Sequence, residues 1–136
     1  MVTRYDYDQL HRLKYAIKLG GINENTWTFA PPTVTYQYAE EYKYDANGNI
    51  LNLGRREATA TIMDNLTYEY YPSSNKIKRV TDLVPAASFA TDIDTQTDPE
   101  NYLYDGAGNL MQDKSENLTV SWTAYGKVND LTLLSF

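Results

Sequence analysis

The chain has no cysteine and a single histidine, His11. That excludes a disulfide framework, a thiolate metal site and a cysteine nucleophile, and it leaves the redox compartment open. No run of eighteen apolar residues exists for a helical membrane span. The opening MVTRYDYD lacks the apolar stretch of a signal peptide, so any export is expected to use a signal outside this chain. Positive charge is also scarce. The net charge is −6, and residues 61–136 hold eleven acidic against five basic groups, which disfavours a nucleic-acid partner. A glycine-rich phosphate loop, zinc-ligand spacing and a nucleophile elbow are all missing.

What is abundant is tyrosine, with 13 residues against 3 phenylalanines. Tyrosine suits a surface with one apolar and one wet side, as in strands of a half-dry sheet, and not the aliphatic core of a helical bundle. At 136 residues the default is one domain.

The tyrosines recur in a frame. Tyr7-Asp8-Gln9-Leu10-His11-Arg12-Leu13 aligns with Tyr44-Asp45-Ala46-Asn47-Gly48-Asn49-Ile50 and with Tyr104-Asp105-Gly106-Ala107-Gly108-Asn109-Leu110. A fourth copy, Trp122-Thr123-Ala124-Tyr125-Gly126-Lys127-Val128, puts threonine in place of aspartate. A fifth, from Tyr70 to Ile77, is one residue longer and carries Asn75 in place of glycine. Each copy follows a period-two run, such as Tyr42 with Tyr44 and Tyr102 with Tyr104, which places those rings on one face of a strand.

The turn chemistry follows. An aspartate accepts from backbone amides two residues on, Gly48, Gly108 and Gly126 supply positive φ, and the aliphatic residue starts the return strand. With histidine in the glycine position, the first turn is expected to be looser or differently shaped. The anchors are 37, 26, 34 and 18 residues apart. We read 18 as one unit, 37 as about twice that with Tyr36 and Tyr38 as the remnant of a degenerate unit between, and 26 and 34 as insertions at strand ends. Pro31-Pro32 is expected to break a segment, Val84 to Asn101 to form a long polar loop, and Asp82 to Ala90 to hold at most short helical turns.

These phrases, YDYDQLHRL, YKYDANGNIL, YLYDGAGNLM and SWTAYGKV, resemble the YD repeats of the RHS family, whose members include bacterial polymorphic toxins and animal teneurins. The resemblance implies an all-β array of antiparallel hairpins within a long sheet that spirals into a hollow shell. In the toxins such a shell encloses a C-terminal effector, and in teneurins it is part of an extracellular adhesion region. On this likeness residues 1–136 are a single hairpin array, an arc of a shell. Its partners are the rest of a larger RHS-type protein or its effector, in a secreted or cell-surface setting such as interbacterial competition. The toxins close the shell with an aspartate-bearing segment that cuts the effector free. Here the one Asp-Pro step, Asp98-Pro99, lies in a loop between two repeats.

The residues that carry the motif are therefore structural: Tyr7, Asp8, Tyr42, Tyr44, Asp45, Gly48, Asn49, Tyr102, Tyr104, Asp105, Gly108, Asn109, Trp122 and Gly126. No catalytic residue, cofactor or metal is expected. His11 as a general base, Asp92, Asp94, Asp98 and Glu100 as a calcium loop, and the repeat aspartates as paired acids each fit a structural or solvated role better. The sequons at Asn65 and Asn117 matter only on a eukaryotic secretory route. The alternative function is a glycan- or protein-binding module using the aromatic rows, and exposed terminal strands are expected to make the chain a homo-oligomer through its sheet edges.

Overall fold

A computed structural model describes residues 2–134 apart from 24, 27, 90 and 91, with the backbone alone at 22, 23 and 28–33. The described chain is all-β, eleven strands without a helix. They are β1 (Val2–Tyr7), β2 (Leu13–Asn23), β3 (Thr28–Val34), β4 (Glu40–Tyr44), β5 (Ile50–Arg56), β6 (Ile62–Tyr70), β7 (Ile77–Asp82), β8 (Tyr102–Tyr104), β9 (Leu110–Asp113), β10 (Leu118–Trp122) and β11 (Val128–Leu133). Two compact units emerge, residues 1–67 with 82–94 and residues 68–81 with 95–136. In the first, antiparallel neighbours run β1-β2-β4-β5-β6 with β3 beside β2. In the second, the end of β6 carries β7, and a four-stranded sheet runs β11-β10-β9-β8. Among the described residues the buried apolar side chains are Ala16, Ala39 and Leu66 in the first unit and Val80 and Val120 in the second.

Five hairpins close on one backbone pattern. The N–H of Asp8, Asp45, Glu57, Asp105 and Thr123 donates to the carbonyl four residues on, and the carbonyl of each accepts from the N–H three residues on. The residue donating back is left-handed in every case: His11 (φ 60), Gly48 (φ 92), Ala60 (φ 69), Gly108 (φ 95) and Gly126 (φ 70). Register shifts fall beside each turn, at Asp6/Tyr7, Lys43/Tyr44, Arg55/Arg56, Leu103/Tyr104 and Ser121/Trp122. This is the hairpin in which a left-handed residue after the turn makes a bulge.

Several expectations change. The His11 turn has the same backbone bonds as the others, so it is not looser; a long side chain simply occupies a position where glycine is free. In the fifth copy the left-handed residue is Ser73, at φ 54, and not Asn75. Pro31-Pro32 lies inside β3. Between Gly20↔Thr33 and Ile22↔Phe29 the ladder skips residues 30–32, so the prolines leave no paired donor missing. Tyr36 and Tyr38 are not strand neighbours but left-handed residues (φ 54 and 52) leading into β4. The gap of 26 reflects strand length, because β5 and β6 have 7 and 9 residues where β9 and β10 have 4 and 5.

Candidate functional site

The motif aspartates face their own turns. Asp45 Oδ1 accepts from the N–H of Asn47 (2.8 Å) and Asn49 (2.9 Å), and Oδ2 accepts from Asn49 Nδ2 at 2.8 Å. Asp105 repeats this with Ala107 (2.9 Å), Asn109 (2.8 Å) and Asn109 Nδ2 (2.9 Å). Asp8 does the same with Leu10 and Arg12, the Arg12 Nε taking the place of the asparagine amide at 2.6 Å. The Asn49 and Asn109 amides hold the carboxyls of Asp45 and Asp105 below the usual range, and the Arg12 backbone amide does so at Asp8. A carboxylate stabilised in this way is a weak base and is already filled with donors, so its chemistry is turn closure. Thr123 gives the same turn only one side-chain oxygen, which accepts from Lys127 N–H at 3.2 Å.

The aromatic anchors do something the sequence frame does not announce. The Tyr44 hydroxyl donates to the carbonyl of Leu13 at 2.8 Å. Leu13 opens the return strand of the preceding motif hairpin, at the position that Ile50 holds in the next. In the second unit Trp122 Nε1 donates to the carbonyl of Leu110 at 2.7 Å. Two anchors thus reach the same position of the preceding hairpin. Arg12 adds to the first latch, donating to the Asp45 carbonyl at 2.8 Å while its guanidinium lies 4.7 Å from the centre of the Tyr44 ring.

Tyr42 stacks on Tyr44 with ring centres 6.3 Å apart, and burial pushes its phenol up to about 12. The Tyr102 hydroxyl instead accepts from Gln96 Nε2 at 2.7 Å. Tyr7 at the outer strand is 58% exposed, without a preceding hairpin in the described residues to latch onto. In the first unit Tyr7, Asp8, Tyr42 and Tyr44 border one open groove of about 640 Å³ with Arg12 and Lys14. The frame otherwise recurs as a turn bracket and a latch.

Two concavities lie outside the turns. In the first unit a hollow of about 420 Å³ is lined by both charge signs, among them Arg4, Arg55, Asp6 and Glu41. In the second, a trough of about 710 Å³ is lined by Tyr71, Lys76, Tyr104, Met111, Gln112 and Thr119. There Tyr71 meets Tyr104 edge to face, ring centres 6.3 Å apart, and Lys76 Nζ stands 5.5 Å from the Tyr104 ring centre.

The carboxylates of residues 92–100 have separate partners. Asp98 pairs with Lys114 at 2.9 Å and Glu100 with Lys78 at 3.8 Å, both in the second unit. Asp92 instead approaches Asp64 and Asp82, the three carboxylates lying within 4.8 Å of one another. Asp64 is already bound bidentately by Arg55 (2.7 and 3.0 Å), and Asp82 Oδ1 accepts from Asn65 N–H (2.8 Å) and Val84 N–H (3.0 Å). A guanidinium among the carboxylates opposes a cation there. His11 stands in its turn, where its N–H donates to the Asp8 carbonyl at 3.1 Å.

No protein-family model matches the chain, and no curated protein matches it either.

Proposed function

We propose that this chain is a non-catalytic structural segment, a hairpin array that forms part of the wall of an RHS-type shell and helps to enclose or present a C-terminal effector. The observation that carries this reading is the repeated latch of Tyr44 on Leu13 and of Trp122 on Leu110. A strand edge is stabilised only by the next strand, and a latch that always points to the preceding hairpin makes each unit depend on its neighbour. Such linear dependence suits a wall that grows by addition, and the filled turn carboxylates suit scaffolding and not acid–base chemistry.

The test is the coding frame around this segment. Further Tyr-Asp frames are expected on either side, and a segment that follows the array should resist protease when attached to it. Flanks without such frames, or a following segment cut as quickly as when free, would overturn the reading.

The trough of the second unit favours one other reading, a binding module. A tyrosine face suits the C–H side of a pyranose, and Lys76 offers an ammonium beside it. Glycan binding that is lost on Lys76→Ala with the fold intact would select this alternative.

A further inference from the structure

We propose that Asn47-Gly48 is a modification site, where the chain spontaneously converts asparagine to aspartate and isoaspartate through a cyclic imide and so loosens its own turn. The inference goes beyond the array reading, because it stands on the geometry of a single turn. That turn joins β4 to β5, and their other neighbours, β2 and β6, are both in place.

The chemistry needs a main-chain nitrogen as nucleophile and the preceding side-chain amide carbon as electrophile. The Gly48 nitrogen gives its proton to solvent base and bonds to Asn47 Cγ; the Cγ–Nδ2 bond then breaks, and Nδ2 takes up a proton and leaves as ammonia. Water opens the imide. Cleavage at Cγ gives aspartate, and cleavage at the main-chain carbonyl carbon gives isoaspartate, with the backbone rerouted through Cγ. Water is the only co-reactant.

Of the asparagines only Asn47 precedes glycine, and any side chain in that place would crowd the attacking nitrogen. Asn47 is exposed. Its backbone N–H donates to Asp45 Oδ1, but its side-chain amide has no partner among the described residues. The Asn49 and Asn109 amides, in contrast, are tied to Asp45 and Asp105 at 2.8 and 2.9 Å. The nucleophile is also the least held of its kind. Gly48 N–H reaches the Asp45 carbonyl at 3.3 Å, against 3.0 or 3.1 Å for His11, Ala60, Gly108 and Gly126 in the matching bonds. Nothing lies within 4 Å of where a Gly48 Cβ would stand, so no neighbour confines the residue. Asp105-Gly106 is the other step open to imide closure, but the Asp105 oxygens accept three hydrogen bonds that hold it anionic, and an anion is a poor electrophile.

Either product places a new carboxylate beside that of Asp45, and isoaspartate also lengthens the backbone within the bracket that Asp45 Oδ1 closes on Asn47 and Asn49. The Asp45 carbonyl accepts from Arg12 at 2.8 Å, so the loosening passes to the preceding hairpin. The third motif copy has Ala107 at the equivalent position and lacks the reactive amide.

The test incubates the full chain in mildly alkaline buffer and then digests it with trypsin, which releases residues 44–55 as one peptide by cleaving after Lys43 and Arg55. Conversion is read as the mass gained when NH is replaced by O, and isoaspartate by labelling with an isoaspartyl methyltransferase. Asn47 should be the first asparagine converted. Its rate in the folded chain should lie within about tenfold of that in urea, because a single weak turn bond restrains the nitrogen. Asn47→Ser removes the electrophile and should abolish the label at this peptide. In the converted fraction, separated by charge, amide exchange at Arg12 should quicken while that at Asn109 is unchanged. Slower conversion in the folded chain, earlier conversion at another asparagine, or label that persists in Asn47→Ser would overturn the site. Equal exchange at Arg12 in converted and unconverted chains would overturn the loosening. Each of these results leaves the array reading standing, which the coding frame tests separately.

Discussion

The two units bury polar groups of different kinds. In residues 1–67 with 82–94 a charge is inside: Asp64 is 0% exposed and held by Arg55, with Asp82 at 7% beside it. In residues 68–81 with 95–136 the buried groups are neutral amides, Gln96 at 5% and Asn101 at 1% exposure. Asn101 Nδ2 donates to Asp113 at 2.8 Å and its Oδ1 accepts from Ser115 N–H at 2.8 Å. Both solutions satisfy every buried polar side-chain atom among the described residues. They fail differently, since a buried ion that loses its partner costs more than an amide that loses one bond.

The largest effect should come from Arg55→Met, which strands the Asp64 carboxylate and costs about 3 kcal/mol by urea denaturation. Adding Asp64→Leu should recover most of that loss, because the buried charge goes with its partner. Asn101→Ala comes next, at about 2 kcal/mol, with a loss that stays constant between pH 5 and 8. If Arg55→Met proved no worse than Asn101→Ala, the contrast between charged and neutral interiors would be lost.

The turns give smaller effects of opposite sign. At Gly48 a Cβ would meet nothing within 4 Å, so Gly48→Ala tests the left-handed φ of 92° alone and should destabilise by about 1 kcal/mol. His11→Gly, at φ 60, should stabilise by a similar or smaller amount, about 0.5 to 1 kcal/mol.

Acid sharpens the comparison further. The turn aspartates have folded pKa values below their unfolded ones. Their contribution is complete above the unfolded range, near pH 4, and is lost as pH falls through the folded values, in both units alike. Asp92 runs the other way, its carboxyl raised by burial and by Asp64 and Asp82. Its charge opposes folding at neutral pH and is relieved as protons bind. Asp92→Asn should therefore raise the melting temperature at pH 7 by the smallest of these increments, and that gain should shrink as pH drops through the carboxylate range.

Turn positions were legible because Tyr-Asp, glycine and an aliphatic residue are specified together over seven positions, as from Tyr44 to Ile50. The Glu57 turn was not, because alanine takes the left-handed place at Ala60 and no aromatic marks it. Strand β3 was hidden by Pro31-Pro32, whose cost depends on which residues the ladder skips. The Arg55–Asp64 pair arises from cross-strand register between β5 and β6, which no single-strand pattern encodes. The latches were missed for the same reason. Tyrosine abundance said that rings would be half wet, but the carbonyl each one reaches lies in another hairpin, 31 residues away for Tyr44.

The account depends most on those latches, and amide hydrogen exchange on Tyr44→Phe tests them directly. Removing one hydroxyl leaves the ring in place and costs a hydrogen bond of about 1 kcal/mol. The account predicts faster exchange at the amides of Leu10, His11 and Arg12, in the preceding hairpin, as well as around Asp45, while Ala107 to Asn109 are unchanged. Acceleration confined to residues 44–50, with the Asp8 turn as protected as before, would contradict it.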